Sequence, residues 1–250
     1  MNYNVLHGFH QSFPPFALEE KRLEAAREIV KKENPDILVL TEACYGGPNP
    51  FNINIDYKSL FNFPQGFFGK WGDYEWGNFL LSKYPLKCKI VPFGTRTAIR
   101  SRISVNDKEI YLDVIHPYPS WTENEKIAFT KSILKNIKTP YFLVGDFNSL
   151  SDEDKYDKER LVRGFAKFEK EPVQAVNRIW EKKFIPWLRA QGLVDTFSTS
   201  SRKITVPTKI YGNGQESAMR MDFIFASPDI KTLETRVIKN KDTDSASDHY

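Results

Sequence analysis

The apolar and polar positions along the chain predict helices that lead directly into buried strands. From Leu18 to Lys32, apolar side chains recur at helical spacing and charged side chains fill the opposite face, which indicates an amphipathic helix that ends at Asn34-Pro35. The continuous apolar run Ile37–Leu40 follows and is typical of a strand buried on both faces. A helix followed by such a strand favours an α/β fold.

The same unit recurs in the middle of the chain. Thr122 and Glu125 have the spacing of a capping box, and apolar residues continue at helical spacing to Ile137. The run Tyr141–Val144 then predicts a second buried strand, and Asn106-Asp107 predicts a hairpin turn. Shorter apolar segments predict four more strands, at Phe79–Leu81, Arg102–Val105, Ile110–Ile115 and Met221–Phe225.

The second half of the chain predicts one further helix and one charged excursion. The helix covers Ile179 to Gln191, with a break near Pro186 and a stop at Gly192. The densely charged stretch from Ser151 to Pro172 predicts a partly helical excursion on the surface. No repeat or linker interrupts the pattern, so we expect residues 1–250 to form a single α/β domain.

Composition narrows the class of protein without naming a substrate. Apolar residues make up 40% of the chain and charged residues 27%, as in soluble globular proteins. The net charge of +4 permits a polyanionic substrate, but the basic residues are spread among acidic ones rather than clustered. The two cysteines, Cys44 and Cys88, are too few for a disulfide framework or a zinc cluster. The sequence shows neither a secretory signal nor a run of about 18 apolar residues, so we expect a cytoplasmic monomer without a transmembrane segment.

Polar side chains stand where several predicted strands end. Carboxylates, an imidazole and an amide follow or flank these strands: Glu42, His116, Asp146, Asn148 and Asp222. Strand ends are where α/β proteins assemble their sites, because a rigid sheet directs distant residues into one crevice. Each residue alone also has an ordinary interpretation, such as a turn residue for Asp146 or a loop histidine for His116. Asp222 fits such an interpretation least, because apolar residues flank it and a buried carboxylate must be paired.

Seven segments, taken in order, resemble the motifs of the endonuclease/exonuclease/phosphatase superfamily. They span almost the whole chain, and Gly-Asp-Phe-Asn at 145–148 together with Ser-Asp-His at 247–249 is the most specific pair. The segments are Tyr3–Gly8, Leu40–Glu42, Gly77–Pro85, Ile115–His116, Gly145–Asn148, Met221–Phe225 and Ser247–His249. The resemblance implies a four-layer α/β sandwich, in which two mixed β-sheets pack face to face with helices outside and the site lies at one end.

The resemblance also implies a divalent-metal-dependent hydrolase of phosphoester bonds. Mg²⁺ is the expected ion, with Mn²⁺ as an alternative, because a hard cation with oxygen ligands neutralises the charge that develops on a phosphate. Carried over by position, the metal-binding residues would be Asn4, Glu42 and Asp248, with Glu42 the principal ligand. The catalytic residues would be His116, Asp146, Asn148, Asp222 and His249.

The resemblance gives each catalytic residue a role. Asp146 and Asn148 would lie on the side of the phosphate and the attacking water. His116 would contact the phosphate or assist the leaving group. Asp222 would pair with His249, because a histidine held in one tautomer by an aspartate can orient a water or a phosphoryl oxygen.

The sequence departs from the family pattern in two places. Leu6 and His7 follow the first Asn-Val, where many nuclease members carry an acidic residue. The family's strand normally continues beyond Ser-Asp-His, whereas this sequence stops at Tyr250, and a chain end frays unless it is tied down. The placement of Asp248 and His249 is therefore expected to depend on contacts that hold this segment.

An aromatic segment, Phe61 to Trp76, bears on the substrate. It could fold onto its own hydrophobic cluster, provide a stacking platform for unpaired bases, or insert into lipid. Tyr118 and Trp121 are candidate walls of a substrate site, and Arg100 and Arg102 are candidate phosphate contacts.

Three functions fit these observations. The favoured one is a nuclease, a nucleic-acid phosphodiesterase with DNA as the expected substrate. The second is a phosphatase or a phospholipase-like hydrolase of small or lipid phosphoesters. The third is a catalytically silent binding module, which the retained polar residues disfavour. A clustered basic groove would favour nucleic acid, and an exposed apolar rim would favour lipid.

Overall fold

Two mixed β-sheets form the centre of the computed structural model, which describes residues 1–11, 17–44, 55–72, 76–197, 203–211 and 214–250. The smaller sheet contains β1 (Asn2–Asn4), β2 (Ile37–Cys44), β3 (Gln65–Lys70) and β4 (Trp76–Ser82), joined in the order β1-β2-β4-β3. The larger sheet contains β5 (Leu86–Phe93), β6 (Arg96–Val105), β7 (Lys108–Ile115), β8 (Tyr141–Asp146), β9 (Val194–Asp195) and β10 (Asp222–Ala226), joined in the order β5-β6-β7-β8-β10-β9. Each sheet has one parallel pair, β1 with β2 and β7 with β8.

Helices connect and cover these strands. They are α1 (Leu6–Phe9), α2 (Glu20–Glu33), α3 (Tyr57–Phe61), α4 (Glu123–Leu134), α5 (Lys158–Phe165), α6 (Pro172–Trp180), α7 (Phe184–Ala190) and α8 (Thr243–Ala246). Short 3-10 turns lie at Lys209–Tyr211 and Gly214–Ser217. Within the described part of the chain, no helix is long and apolar enough to cross a membrane.

The sheets pack face to face, with helices on both outer faces. Val39 and Leu80 of the smaller sheet share a core with Ile99 and Val114 of the larger one. Leu38 points the other way and packs with apolar residues of α2, while the outer face of the larger sheet packs against α4 and α7. Consecutive residues of β2 are therefore buried on opposite faces, which explains its continuous apolar run. The four-layer sandwich expected from the resemblance is confirmed.

The spacing of apolar residues predicted most helices and strands, but some of them begin or end a few residues from the predicted positions. The helix expected from Leu18 begins at Glu20. Thr122 and Glu125 form the predicted capping box at the start of α4. Asn106 and Asp107 have φ angles of 48° and 62°, as a tight turn between β6 and β7 requires.

The break in the predicted helix 179–191 lies earlier than expected. α6 ends at Trp180 and α7 begins at Phe184, so Pro186 is the third residue of α7. A proline is tolerated there because the first N–H groups of a helix have no partner within it. The helix is thus broken, as predicted, but at residues 181–183 and not by Pro186 itself. The charged stretch 151–172 contains α5, as expected.

The aromatic segment is mostly part of the fold. Phe61 and Phe63 are buried in the outer core of the smaller sheet, and residues 65–70 form β3, a strand that the sequence pattern did not predict. Trp71 is also buried. Tyr74 lies outside the described residues. Most of the segment is therefore built into β3 and the core of the smaller sheet, rather than folded only onto its own hydrophobic cluster.

Candidate active site

The two sheets meet at the end of the sandwich where Asn4 and Glu42 lie. β1 and β2 are parallel, and their register places Asn4 beside Thr41. Glu42 follows at a bulge in the pairing of β2 with β4 and has a φ of 59°. A positive φ is uncommon for a residue with a side chain, and such bulges redirect side chains next to functional sites. The bulge turns the carboxylate of Glu42 toward the end of the sandwich.

Asn4 joins two carboxylates from different sheets. Its Nδ2 donates to Glu42 Oε1 and to Asp146 Oδ2, each at 3.1 Å. Its Oδ1 accepts from the backbone N–H of Leu6 at 2.9 Å. In this arrangement Asn4 positions both carboxylates, and its expected role as a metal ligand stays a prediction.

A left-handed turn brings His7 to the site. Residues Leu6–Phe9 all have positive φ, between 39° and 66°. The backbone N–H of His7 donates to Glu42 Oε2 at 3.2 Å, and its Nδ1 lies 3.4 Å from the same oxygen. The ring also lies against Trp76, with 4.5 Å between centroids. The sequence identified His7 only as a departure from the family pattern, yet it contacts the principal predicted metal ligand.

Asp146 and Asn148 form a tight turn at the end of β8. Asp146 Oδ1 accepts from the backbone N–H of Asn148 at 2.9 Å, and the side-chain amide of Asn148 donates to the carbonyl of Pro117 at 3.0 Å. Burial, together with repulsion from Asp222 and Glu42, raises the pKa of Asp146 to about 7. Asp146 is thus both a turn residue and a carboxylate with an altered proton affinity.

A buried ion pair beneath this turn was missed by the sequence reasoning. Lys126 Nζ contacts Glu123 Oε1 at 3.0 Å, the carbonyl of Asn148 at 2.5 Å and Ser149 Oγ at 3.1 Å. Glu123 and Lys126 are both fully buried. They look like surface charges in the first turn of a helix, but they tie α4 to the loop that carries Asn148.

His116 lies directly after β7 with both ring nitrogens unpaired. Its Nε2 is 3.6 Å from Asp146 Oδ2, and neither nitrogen has a hydrogen-bond partner among the residues that the structure describes. Trp71 packs edge-on against the ring at 5.0 Å. Burial, reinforced by the nearby Arg96, lowers the pKa of His116 to about 3. The imidazole is therefore neutral at neutral pH and has buried nitrogens that a ligand could satisfy.

Asp222 and His249 form the predicted pair. His249 Nδ1 lies 2.6 Å from Asp222 Oδ2, and its Nε2 lies 3.8 Å from Asp146 Oδ2. Asp222 stands directly opposite Asp146 across β10 and β8. Burial acts to lower the pKa of His249, but Asp222 and the neighbouring carboxylates outweigh it and raise this pKa well above its ordinary value.

The segment that carries His249 is held at both ends. Ser247 Oγ donates to the carbonyl of Asn4 at 2.6 Å, and the N–H of Tyr250 donates to the carbonyl of Thr205 at 2.7 Å. The contacts on which His249 was expected to depend are present. Burial raises the pKa of Asp248, and its carboxylate accepts a hydrogen bond from Ser247 Oγ at 3.3 Å.

The donors present fit a divalent metal. Ligand atoms of Glu42, His116 and Asp146 all lie within 4.8 Å of one another, as do those of Asp146, Asp222 and His249. Carboxylate oxygens are the ligands that Mg²⁺ and Mn²⁺ prefer. A cation here would also offset the repulsion between Glu42 and Asp146. Asp248 belongs to neither group of ligand atoms.

A cavity of about 920 Å³ opens beside these residues. Its lining includes Glu42, His116 and Asn148 from the site, and also Trp71, Trp76, Arg96 and Tyr118. Tyr118 thus lines the cavity as predicted.

The other predicted substrate contacts are directed elsewhere. Trp121 packs against Phe129 in the core at 5.6 Å. Arg100 pairs with Asp113, and Arg102 pairs with Glu109 on an exposed part of the hairpin. None of these three candidates is among the residues that line the cavity.

Comparisons with solved structures agree with this fold. The chain is similar in fold to an endonuclease/exonuclease/phosphatase family protein from Leptotrichia buccalis, with 19% identity and a TM-score of 0.59 over 99% of this chain and 95% of that one. It is also similar to a truncated Caenorhabditis elegans TDP2, with 18% identity and a TM-score of 0.59 over 99% and 92% of the two chains. An AP endonuclease from Archaeoglobus fulgidus has 16% identity and a TM-score of 0.59 over 91% and 85%.

Sequence comparison gives the family directly. No curated protein matches the chain. The sequence model of the Endonuclease/Exonuclease/phosphatase family, however, matches residues 1–249. The chain belongs to the Endonuclease/Exonuclease/phosphatase family.

Proposed function

We propose that the protein is a divalent-metal-dependent phosphodiesterase that acts on nucleic acid, with DNA as the favoured substrate. The proposal rests on one observation, the three polar side chains that surround a single carboxylate oxygen of Asp146. Asp146 Oδ2 has Asn4 Nδ2 at 3.1 Å, His116 Nε2 at 3.6 Å and His249 Nε2 at 3.8 Å. Such convergence from four separate segments, in a buried setting, is expected of a site that handles protons and anions.

Each side chain has a role that follows from its protonation. A bound Mg²⁺ or Mn²⁺ would supply charge neutralisation, with Glu42 as its principal ligand. Asp146, with a pKa of about 7, can accept a proton from the attacking water near neutral pH. His249, held protonated by Asp222, can donate to a phosphoryl oxygen. Neutral His116 can donate one N–H to the phosphate or the leaving oxygen.

Two observations favour nucleic acid as the substrate class. The cavity beside the site has aromatic and cationic walls, formed by Trp71, Arg96 and Tyr118. Rings and cations together suit a polyanion that carries bases. One of the similar structures is also described as an AP endonuclease.

A second candidate function is hydrolysis of a lipid or small phosphoester. Phe168 is 63% exposed and Val173 is 54% exposed, and both follow or precede cavity-lining residues of α5 and α6. Exposed apolar residues that neighbour cavity-lining ones along the chain suit contact with a lipid surface.

The test is hydrolysis of a chromogenic phosphodiester and of single-stranded and abasic DNA, with EDTA and with Mg²⁺, Mn²⁺ or Ca²⁺. Glu42→Gln should weaken metal binding measured by calorimetry and remove most activity, while circular dichroism stays unchanged. Glu24→Gln, an exposed carboxylate on α2, is the matched control and should behave as wild type. Full turnover in EDTA, or in Glu42→Gln at limiting Mg²⁺, would reject the proposal.

A further inference from the structure

His7 turns a buried ring nitrogen toward the carboxylate of Glu42. Its Nδ1 has no hydrogen-bond partner among the described residues, although it lies only 3.4 Å from Glu42 Oε2. That oxygen already accepts the backbone N–H of His7 at 3.2 Å. In the neutral tautomer with its proton on Nε2, Nδ1 presents a lone pair, and a lone pair that faces a carboxylate oxygen is repelled by it. The contact becomes favourable when a proton or a metal ion lies between the two atoms.

The turn that carries His7 is held firmly in its unusual conformation. Arg22, a buried side chain of α2, donates from Nη2 to the carbonyls of Val5 and Leu6 at 3.1 and 2.9 Å. The imidazole ring itself lies against Trp76, with 4.5 Å between centroids. Backbone in the left-handed region persists only where the surrounding structure enforces it, and such strain is concentrated at functional sites. The fold therefore maintains the approach of His7 to the carboxylate.

The distance between the two atoms suits ligands of one shared ion. Ligand atoms about 2.0–2.2 Å from a metal lie roughly 3–3.5 Å apart when they occupy adjacent positions around it. His7 Nδ1 and Glu42 Oε2 are 3.4 Å apart. The other oxygen of Glu42 accepts from Asn4 Nδ2 at 3.1 Å, which fixes the orientation of the carboxylate. Both His7 and Glu42 line the cavity of about 920 Å³, where water or substrate oxygens could complete the coordination.

We infer that His7 is a metal ligand, and that its Nδ1 and Glu42 Oε2 bind the same divalent ion. The inference rests on the proposed function and specifies the kind of ion that this site takes. An imidazole nitrogen favours transition-metal ions, whereas Mg²⁺ prefers oxygen ligands. The site should therefore select Mn²⁺ over Mg²⁺ more strongly than a site with oxygen ligands alone. His7 thereby determines which ion the protein binds.

The first measurement is pulsed electron paramagnetic resonance of Mn²⁺ bound to the full chain, which detects the nitrogen nucleus of a coordinated imidazole. The wild type should show this coupling, and the coupling should weaken or vanish in His7→Gly. Glycine adopts the φ of 54° found at this position without strain, so the turn should persist. The matched control is His10→Asn, which removes the other imidazole of the turn but keeps a donor for the carbonyl of His7. It should retain the coupling.

The second measurement is the affinity for Mn²⁺ and for Mg²⁺, each titrated alone into the full chain by calorimetry. His7→Gly should bind Mn²⁺ about 10- to 100-fold more weakly, the size of loss seen even when a residue that only supports a ligand is removed. His7→Asp replaces the nitrogen with a carboxylate oxygen, so it should lower the ratio of Mn²⁺ affinity to Mg²⁺ affinity and abolish the nitrogen coupling. Aspartate also tolerates a positive φ, so this variant decides if His7→Gly does not fold.

A wild type without nitrogen coupling, or a coupling that stays unchanged in the folded His7 variants, overturns the inference. A coupling that is lost only in His116→Gln also overturns it, because the coordinated nitrogen then belongs to His116. Both measurements are made without substrate, so they fail independently of the proposed function, which hydrolysis and Glu42→Gln test. Mn²⁺ bound through His7 without hydrolysis of any phosphodiester would support the inference and reject the proposed function.

Discussion

His249 Nδ1 lies 2.6 Å from Asp222 Oδ2, while the other ring nitrogen faces Asp146 Oδ2 at 3.8 Å. Asp222 thereby fixes which nitrogen points inward and holds the ring as an imidazolium. The two aspartates lie opposite each other on adjacent strands, so the sheet itself sets their separation. His249 thus lies between Asp222, which positions it, and Asp146, which takes part in the proposed reaction.

The first prediction follows from this pair. If Asp222 acts only through His249, the two residues form one unit, and losses within a unit are strongly non-additive. The double variant Asp222→Asn/His249→Ala should therefore lose little more kcat/KM than His249→Ala alone. Steady-state hydrolysis of a chromogenic phosphodiester by both single variants and the double variant measures this. Fully additive losses would contradict the pairing.

The second prediction concerns stability and pH in metal-free protein. The pKa of His116 is lowered from 6.5 to about 3, so below pH 6.5 the unfolded chain binds a proton that the folded chain refuses. The titration of His116 therefore does not affect the free energy of unfolding above pH 6.5, and it lowers that free energy progressively as the pH falls toward 3. At pH 5 the loss is about 2 kcal/mol, at roughly 1.4 kcal/mol per pH unit.

His116→Gln removes this titration. The variant's free energy of unfolding, minus that of the wild type, should therefore be about 2 kcal/mol larger at pH 5 than at pH 8, so the variant gains relative stability in acid. Urea unfolding in EDTA at both pH values gives the difference, and other titrating groups cancel because both proteins contain them. An equal difference at the two pH values would mean that His116 is not held neutral.

The third prediction concerns the buried pair beneath Asn148. Lys126→Met leaves Glu123 buried without its cation and frees the carbonyl of Asn148, so it should cost about 3–5 kcal/mol of unfolding free energy. Glu123→Gln/Lys126→Met removes both charges and should cost less than the sum of the single changes. Urea unfolding measures all three variants, with Lys131→Met, an exposed lysine of the same helix, as the control. Additive costs would show that the two charges do not stabilise each other.

Strand ends were the part of the site that the sequence could locate. Glu42 and Asp146 directly follow or nearly follow a buried apolar run near the end of their strands, His116 follows β7 and Asp222 begins β10, and polar groups in those places are visible in one sequence. The sheet then brings them together without further information. Asn4 and His249 needed the family resemblance, since a three-residue strand and a terminal histidine carry no periodic signal.

The residues that were missed depend on contacts between distant segments. Arg96 has the same sequence surroundings as Arg100 and Arg102, with which it shares β6. Trp71 and Tyr118, from other segments, pack against Arg96. Arg100 and Arg102 instead form ion pairs with Asp113 and Glu109 of β7. Single-sequence patterns describe a strand's faces but not which side chain a neighbouring loop will cover.

The last prediction decides between nucleic acid and lipid, and the structure changes which ring should be tested. Trp71 is only 5% exposed and Arg96 covers one of its faces, so its removal should cost stability. Tyr118 keeps 45% exposure at the cavity and is the better candidate for stacking on a base. Phe168, which is 63% exposed, is the corresponding candidate for contact with lipid.

For a nucleic-acid enzyme, Tyr118→Leu should weaken binding of single-stranded DNA by roughly 5- to 150-fold, since stacking contributes about 1–3 kcal/mol per base. The loss should be smaller for an oligonucleotide whose abasic site binds there, because that site has no base to stack on Tyr118. Phe168→Ser should leave DNA binding unchanged, and wild-type affinity should fall as salt rises. Fluorescence anisotropy at two salt concentrations measures these affinities. Retention of the wild type on liposomes, its loss in Phe168→Ser, and no DNA binding at low salt would instead establish the lipid alternative.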